Sequence, residues 1–105
     1  MKVRLMDIAK VIRSKNSGPY ELTFDIIFKD RAAYDSVVKS KSIDRKLISR
    51  LYSVDMGDVK DIVEFKPANA IKATIKRRIT SGSIGDTDIY GAQQHAPLMD
   101  LEIEI

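Results

Sequence analysis

The residues best suited to chemistry lie in one polar stretch, residues 81–95, which reads SGSIGDTDIYGAQQH. It contains the only histidine of the chain, His95. An imidazole with an ordinary pKa of about 6.5 can act as a general acid or base at neutral pH, and Asp86, Asp88 or Glu102 could orient it. His95, Asp86 and Asp88 are therefore the candidate catalytic residues. A lone histidine is more often structural, and that alternative stays open.

Small and hydroxyl-bearing residues in the same stretch suit the binding of an anion. Glycine N–H groups can converge on an anion, and hydroxyls add further donors. The candidate ligand-binding residues here are Ser81, Gly82, Ser83, Gly85, Thr87, Tyr90, Gln93 and Gln94. The spacing is not that of a nucleotide-binding loop, and the alternative is that the glycines and aspartates serve turns.

A second polar segment, RSKNSG at residues 13–18, adds Arg13, Ser14 and Lys15 as candidate ligand-binding residues. A guanidinium can bind a carboxylate or phosphate through two hydrogen bonds. We expect this segment to be a loop that meets the first stretch at one edge of a sheet. The alternative is that Arg13 pairs with Asp86 or Asp88 and pins the first stretch.

Metal and cofactor chemistry has little support in the sequence. The absence of cysteine excludes disulfides, thiolate metal sites and cysteine nucleophiles. Asp-x-Asp with one distant histidine lacks the spacing of zinc or EF-hand sites, and no serine lies in a nucleophile elbow. The sequence predicts neither a metal site nor a cofactor.

Length and composition indicate one domain spanning residues 1–105, with 44% hydrophobic and 31% charged residues. No apolar run reaches the ~18 to 20 residues that span a bilayer, and the first residues do not resemble a signal peptide, so a cytoplasmic protein without membrane contact is expected.

The formal net charge is +3, but the basic residues are scattered, so nucleic acid is not an expected partner.

Hydrophobic alternation predicts the strands that must position these residues. It is most regular in LTFDIIF, where Leu22, Phe24, Ile26 and Phe28 share one face. The first segment also fits a helical stripe, although a strand is favoured. The predicted strands are residues 3–12, 22–28, 59–66, 69–79 and 98–105.

Two helices are predicted between the strands, residues 31–40 with Asp30 as N-cap and residues 43–53 with Ser42 as N-cap. The expected fold class is α+β, with a single small antiparallel sheet, two helices on one face and a ferredoxin-like arrangement. Pairing of the last two strands would place a basic face beside an acidic one.

The segment between the last two strands is too long for a simple hairpin. Eighteen residues separate Ile79 from Leu98, whereas hairpin loops usually take about 2 to 5. Ile84, Ile89 and Tyr90 could anchor it, which favours an ordered loop over a disordered one. We therefore expect a functional loop.

Three segments carry a resemblance to a known family: DIAKVIRSKNSGPYELTFDIIF, PANAIKATI and SGSIGDTDIYGAQQHAPLMDLEI. The chain resembles small bacterial proteins that are related to the ferredoxin-fold region of acyclic terpene utilisation proteins. Larger relatives read Arg-Ser-Gly-Asp-Lys-Gly at residues 13–18, and the missing Asp weakens any acid/base role there.

The resemblance implies a small accessory subunit that supports the active site of a larger acyclic-terpene-utilisation-family partner. The implied chemistry is hydratase or lyase action on branched acids or their coenzyme A thioesters, so the substrate would be a small anionic or CoA-linked compound. The alternative is a stand-alone homo-oligomeric enzyme or small-ligand-binding protein with its site around His95.

Overall fold

The computed structural model describes residues 1–16, 20–76 and 96–105, which form two antiparallel sheets and a helical layer. The strands are β1 (Lys2–Arg4), β2 (Ala9–Asn16), β3 (Glu21–Phe28), β4 (Val59–Phe65), β5 (Ala70–Lys76) and β6 (Glu102–Glu104). The helices are α1 (Leu5–Ile8), α2 (Arg31–Ser40), α3 (Arg45–Tyr52) and α4 (Ala96–Met99), with 3-10 turns at Met56–Asp58 and Lys66–Ala68.

The larger sheet has four strands in the order β2-β3-β5-β4, and every neighbouring pair is antiparallel. The smaller sheet pairs β1 with β6. The predicted α+β class is confirmed, with two sheets where one was expected. The ferredoxin-like arrangement stays a prediction.

Side-chain caps begin the two longer helices. Asp30 accepts a hydrogen bond from the Ala33 N–H at 2.8 Å, as predicted. The predicted Ser42 cap of α3 is wrong, because Asp44 accepts from the Leu47 N–H at 2.8 Å and the helix begins at Arg45, two residues later than predicted. Ser42 instead donates its hydroxyl to the backbone oxygen of Glu104 at 2.6 Å. An Asp carboxylate satisfies the free N–H groups of the first turn at least as well as a Ser hydroxyl.

The core lies between the four-stranded sheet and the helices. Phe24 of β3 stacks on Tyr52 of α3 with ring centroids 4.3 Å apart. Phe28, on the same face of β3, contacts Tyr34 of α2 edge-on at 6.3 Å. Burial raises the pKa of both tyrosines above the ordinary value of 10.0. These contacts place α2 and α3 on one face of the sheet, as predicted.

The first predicted strand is divided in the structure. Residues 2–4 form β1, α1 makes one helical turn that buries Leu5, and β2 then begins at Ala9. The strand and the helix that the sequence pattern of residues 3–12 both allowed are therefore both present, one after the other. The division assigns β1 and β2 to different sheets.

The expected pairing of the last two predicted strands is wrong. β5 already has β3 on one side and β4 on the other, so it has no free edge for β6. β6 pairs with β1, and α4 occupies the start of the segment that was predicted as a strand, burying Leu98. Within the described ranges, every helix is too short or too polar to cross a bilayer.

Candidate functional site

The candidate site is on the outer face of the four-stranded sheet, which we define as the face opposite α2 and α3. The register aligns the outward side chains of β2, β3, β5 and β4 into three rows across the sheet. We name them by composition: the polar row is Lys15, Thr23, Thr74 and Asp61; the charged row is Arg13, Asp25, Lys72 and Val63; the apolar row is Val11, Ile27, Ala70 and Phe65. The outer face is thus polar at one end and apolar at the other.

An ion-pair network forms the centre of the charged row. The Nε–H of Arg13 donates to Asp25 Oδ2 at 3.1 Å, and Lys72 Nζ lies 4.0 Å from Asp25 Oδ1. The Asp25 side chain is only 8% exposed, whereas Arg13 and Lys72 are 60% and 51% exposed. Both oxygens of one shielded carboxylate are therefore committed to two cations that still face solvent.

A second contact supports this network from the polar row. The hydroxyls of Thr23 and Thr74 lie 3.3 Å apart on the two central strands. Thr23 is buried although it lies on the outer face, between Lys15 and Thr74 in the register. Thr23 and Thr74 therefore form a closely packed polar surface on β3 and β5.

A groove of about 370 Å³ runs from the charged row to the apolar row. Phe65, in the apolar row, and Val63, beside Lys72 in the charged row, are 56% and 48% exposed, so two large hydrophobic side chains on one face of β4 are open to solvent. The residues that line the groove are Arg13, Lys15, Asp25, Ile27, Val63, Phe65, Ala68, Ala70 and Lys72. All of these described residues belong to the sheet or to the turn between β4 and β5, so they form the floor of the groove from a single layer.

Three of the predicted site residues fall in described segments. Arg13 and Lys15 both line the groove. Ser14 lies opposite Phe24 in the register and is buried, on the helix side of the sheet, so the structure does not bring it to the groove. Alternation along a strand separates Ser14 from its two neighbours.

The other predicted site residues lie outside the described residues. They are Ser81, Gly82, Ser83, Gly85, Asp86, Thr87, Asp88, Tyr90, Gln93, Gln94 and His95. The suggested pairing of Arg13 with Asp86 or Asp88 falls outside them as well. Within the described ranges, Arg13 pairs with Asp25.

The predicted loop at residues 13–18 is largely strand. β2 continues to Asn16, because its last residues pair with β3 as far as Asn16 and Leu22. At the same end of the sheet, Lys76 at the close of β5 pairs with Glu21. β2 and β5 therefore end on either side of the start of β3.

Sequence reasoning missed Asp25, Lys72, Val63 and Phe65 as site residues. Asp25 carried a signal, because a carboxylate in the middle of the otherwise apolar LTFDIIF needs a partner when it is shielded from water. The irregular alternation of β4 concealed Val63 and Phe65, since the register shift between Val59 and Asp61 reverses which residues face outward.

The chemistry of the groove is that of anion recognition beside an apolar surface. Its donors are a guanidinium and two ammonium groups, which bind carboxylates or phosphates. Among residues 1–16, 20–76 and 96–105 we find no cluster of three His, Cys, Asp or Glu side chains that could hold a metal ion.

Fold and site together define a small α+β protein with a basic and apolar groove on the outer face of its sheet. Over residues 5–102 the chain matches a family described as a domain of unknown function, DUF4387, and the chain belongs to that family. No curated protein and no solved structure matches the chain significantly. The relation to acyclic terpene utilisation proteins stays a prediction.

Proposed function

We propose that this protein is a small accessory subunit that completes or supports the active site of a larger acyclic-terpene-utilisation-type enzyme. The resemblance described above supplies the partner and the chemistry, which is a hydratase or lyase step on branched acids or their coenzyme A thioesters. One structural observation supports the accessory role: the groove has a floor but no opposing wall among the described residues.

A groove of this shape could be enclosed by a partner protein that covers its open side. Ligand sites usually enclose most of the ligand surface, and catalysis benefits when water is excluded from the reacting groups. The lining residues come from one layer of a 105-residue chain. A partner placed over Phe65 and Val63, the exposed apolar side chains of β4, would leave Arg13 and Lys72 facing the enclosed space.

The charged row would then orient the substrate. Asp25 holds the Nε–H side of the Arg13 guanidinium, and more than half of the Arg13 side chain remains exposed. A guanidinium fixed at one side loses less conformational entropy when it binds an anion with the other. We assign Arg13 and Lys72 to substrate binding, with Asp25 as the residue that positions them.

A second candidate function is a stand-alone homo-oligomeric enzyme or small-ligand-binding protein. The groove volume of about 370 Å³ favours it, because ligand pockets span about 300 to 1,000 Å³. In this alternative a second copy supplies a wall opposite the floor formed by the described residues, and His95 belongs to the site.

Co-expression with the larger partner tests the accessory role. We expect the two chains to elute together on size exclusion at micromolar concentration, and Phe65→Ser to weaken the complex. Tyr20→Ser is the matched control, since Tyr20 is 60% exposed and does not line the groove. Separate elution with and without substrate would reject the subunit proposal.

Activity of the assembled complex tests the residues. Arg13→Ala and His95→Ala should each impair the partner-dependent reaction while lowering the melting temperature by no more than a few degrees. Lys46→Ala, an exposed residue of α3, is the control and should retain activity. Full activity in both the Arg13 and His95 variants would remove these residues from the site.

A further inference from the structure

The outer face changes from polar to apolar along its strands, and the spacing of the three rows gives the distance over which it changes. Successive outward residues of a strand lie two positions apart, so neighbouring rows are separated by roughly 7 Å. The gradient runs from the charged row, at Arg13 and Lys72, to the apolar row, at Ile27 and Phe65. A ligand that matches it has a charged head and an apolar part about one row long.

The sign of the head follows from the lining residues. Among the described residues that line the groove, Arg13, Lys15 and Lys72 carry three positive charges and Asp25 carries one negative charge, which gives these residues a net charge of +2. Asp25 is already shared between Arg13 and Lys72. A cationic head would meet two exposed like charges, whereas an anionic head meets the exposed donors of Arg13 and Lys72.

The apolar side chains of the groove indicate which chemical group follows the charged head of the ligand. Ile27 and Ala70 form a half-buried floor on the central strands, and Phe65 and Val63 rise beside them from the edge strand β4. These side chains offer carbon surface that a flexible alkyl chain can cover. Covering it removes exposed apolar area from water, which is favourable.

We propose that the groove binds a short-chain aliphatic carboxylate, with the carboxylate on the Arg13 guanidinium and Lys72 and the alkyl chain lying along the strands over Ile27 and Ala70, beside Phe65. The inference rests on the proposed substrate-binding role of this groove and specifies its ligand class. A row spacing of roughly 7 Å corresponds to a chain of about four to six carbons. Longer chains extend past Phe65 and gain little.

An NMR titration of the ¹⁵N-labelled full chain tests this proposal, with acetate, butanoate, hexanoate and decanoate as probes. Affinity should rise by up to roughly fourfold per methylene from acetate to hexanoate, and should then level off. The amide shifts should concentrate on residues 13–15, 25–27 and 70–72. Hexanamide, which has the same chain and no charge, should bind about tenfold more weakly than hexanoate.

Variants separate the two ends of the site. Arg13→Gln should weaken hexanoate about tenfold and leave hexanamide unchanged, because only the charged head loses its partner. Phe65→Ser should reduce the gain per methylene and change acetate little. Lys46→Gln, on α3 at the other side of the sheet, is the charge-matched control and should change none of these affinities.

Four outcomes would overturn the proposal: no shift with millimolar hexanoate, equal affinity for hexanamide, tighter binding of hexylamine, or tighter binding of hexyl phosphate. The same titration is run on the chain alone and on the co-expressed complex, whereas co-elution is scored without ligand, so the two proposals fail separately. Hexanoate binding without co-elution rejects only the accessory role. Co-elution without hexanoate binding rejects only the ligand class.

Discussion

Arg13 and Asp25 lie directly opposite each other on β2 and β3, and the Arg13 Nε–H donates to Asp25 Oδ2 over 3.1 Å. The pair joins an exposed edge strand to a buried central one. Because Asp25 is shielded and Arg13 is exposed, the carboxylate fixes the guanidinium without hiding it from a ligand. The Arg13 guanidinium is therefore held in position before a ligand binds to the groove.

A double-mutant cycle with Arg13→Gln and Asp25→Asn should give a coupling energy of about 1 kcal/mol, measured by urea denaturation. The value is modest because more than half of Arg13 is in solvent. The pair Arg4 and Asp100, 3.9 Å apart and 51% and 91% exposed, is the control and should show coupling near zero. Equal coupling in both cycles would contradict the special position of Asp25.

Two phenylalanines distinguish the core from the groove. Phe24→Ala should lower the free energy of unfolding by about 3 to 5 kcal/mol, because Phe24 is fully buried against Tyr52. Phe65→Ala should cost less than about 1 kcal/mol, because its side chain is mostly exposed. Both are measured by chemical denaturation, and a large loss in the Phe65 variant would mean that this residue is structural.

The N-cap of α3 can be assigned by substitution. Asp44→Ala should lower the free energy of unfolding by about 1 kcal/mol, since the Leu47 N–H loses its acceptor. Asp44→Asn should retain most of the stability because an amide oxygen also accepts. If Asp44→Ala is neutral in thermal and urea unfolding, the cap lies elsewhere.

Tyr52 should make the protein sensitive to alkali. Burial raises its pKa above the ordinary value of 10.0, so the folded state keeps a proton that the unfolded state loses. Its stabilising contribution is fully present below pH 10.0 and is lost as the pH rises through the folded pKa. Urea midpoints between pH 9 and pH 11.5 should fall more steeply for the native chain than for Tyr52→Phe.

Tyr20→Phe is the control for that pH series, because Tyr20 is 60% exposed. It should follow the native chain at every pH. Parallel curves for the Tyr52→Phe variant and the native chain would show that Tyr52 ionises equally in the folded and unfolded states.

The sequence predicted correctly those strands and helices that are determined by the pattern of their own residues. The alternation of residues 22–28 marks β3, and the Asp30 cap with its helical stripe marks α2 at the bounds observed. The segment at residues 3–12 fitted two patterns because it contains two elements. Strand partners were harder, since pairing β6 with β1 depends on which edges remain free after β5 has been enclosed.

The candidate site was predicted only in part for a related reason. Arg13 and Lys15 stood out by residue type, but their partners come from three other strands. Lys72 and Phe65 meet them only through the strand order β2-β3-β5-β4, which is a long-range property. The strand alternation also explains why Ser14, between two groove residues, faces the helices.

The pairing of β1 with β6 has a consequence for the order in which the protein assembles. Val3 and Ile103 are partners although nearly the whole chain separates them. During synthesis β1 has no partner until residues 102–104 have left the ribosome, whereas β2 and β3 can pair much earlier. Closing so long a segment costs conformational entropy before any pairing offsets it. We therefore expect β1 to become ordered after β2 and β3, although it is synthesised before them.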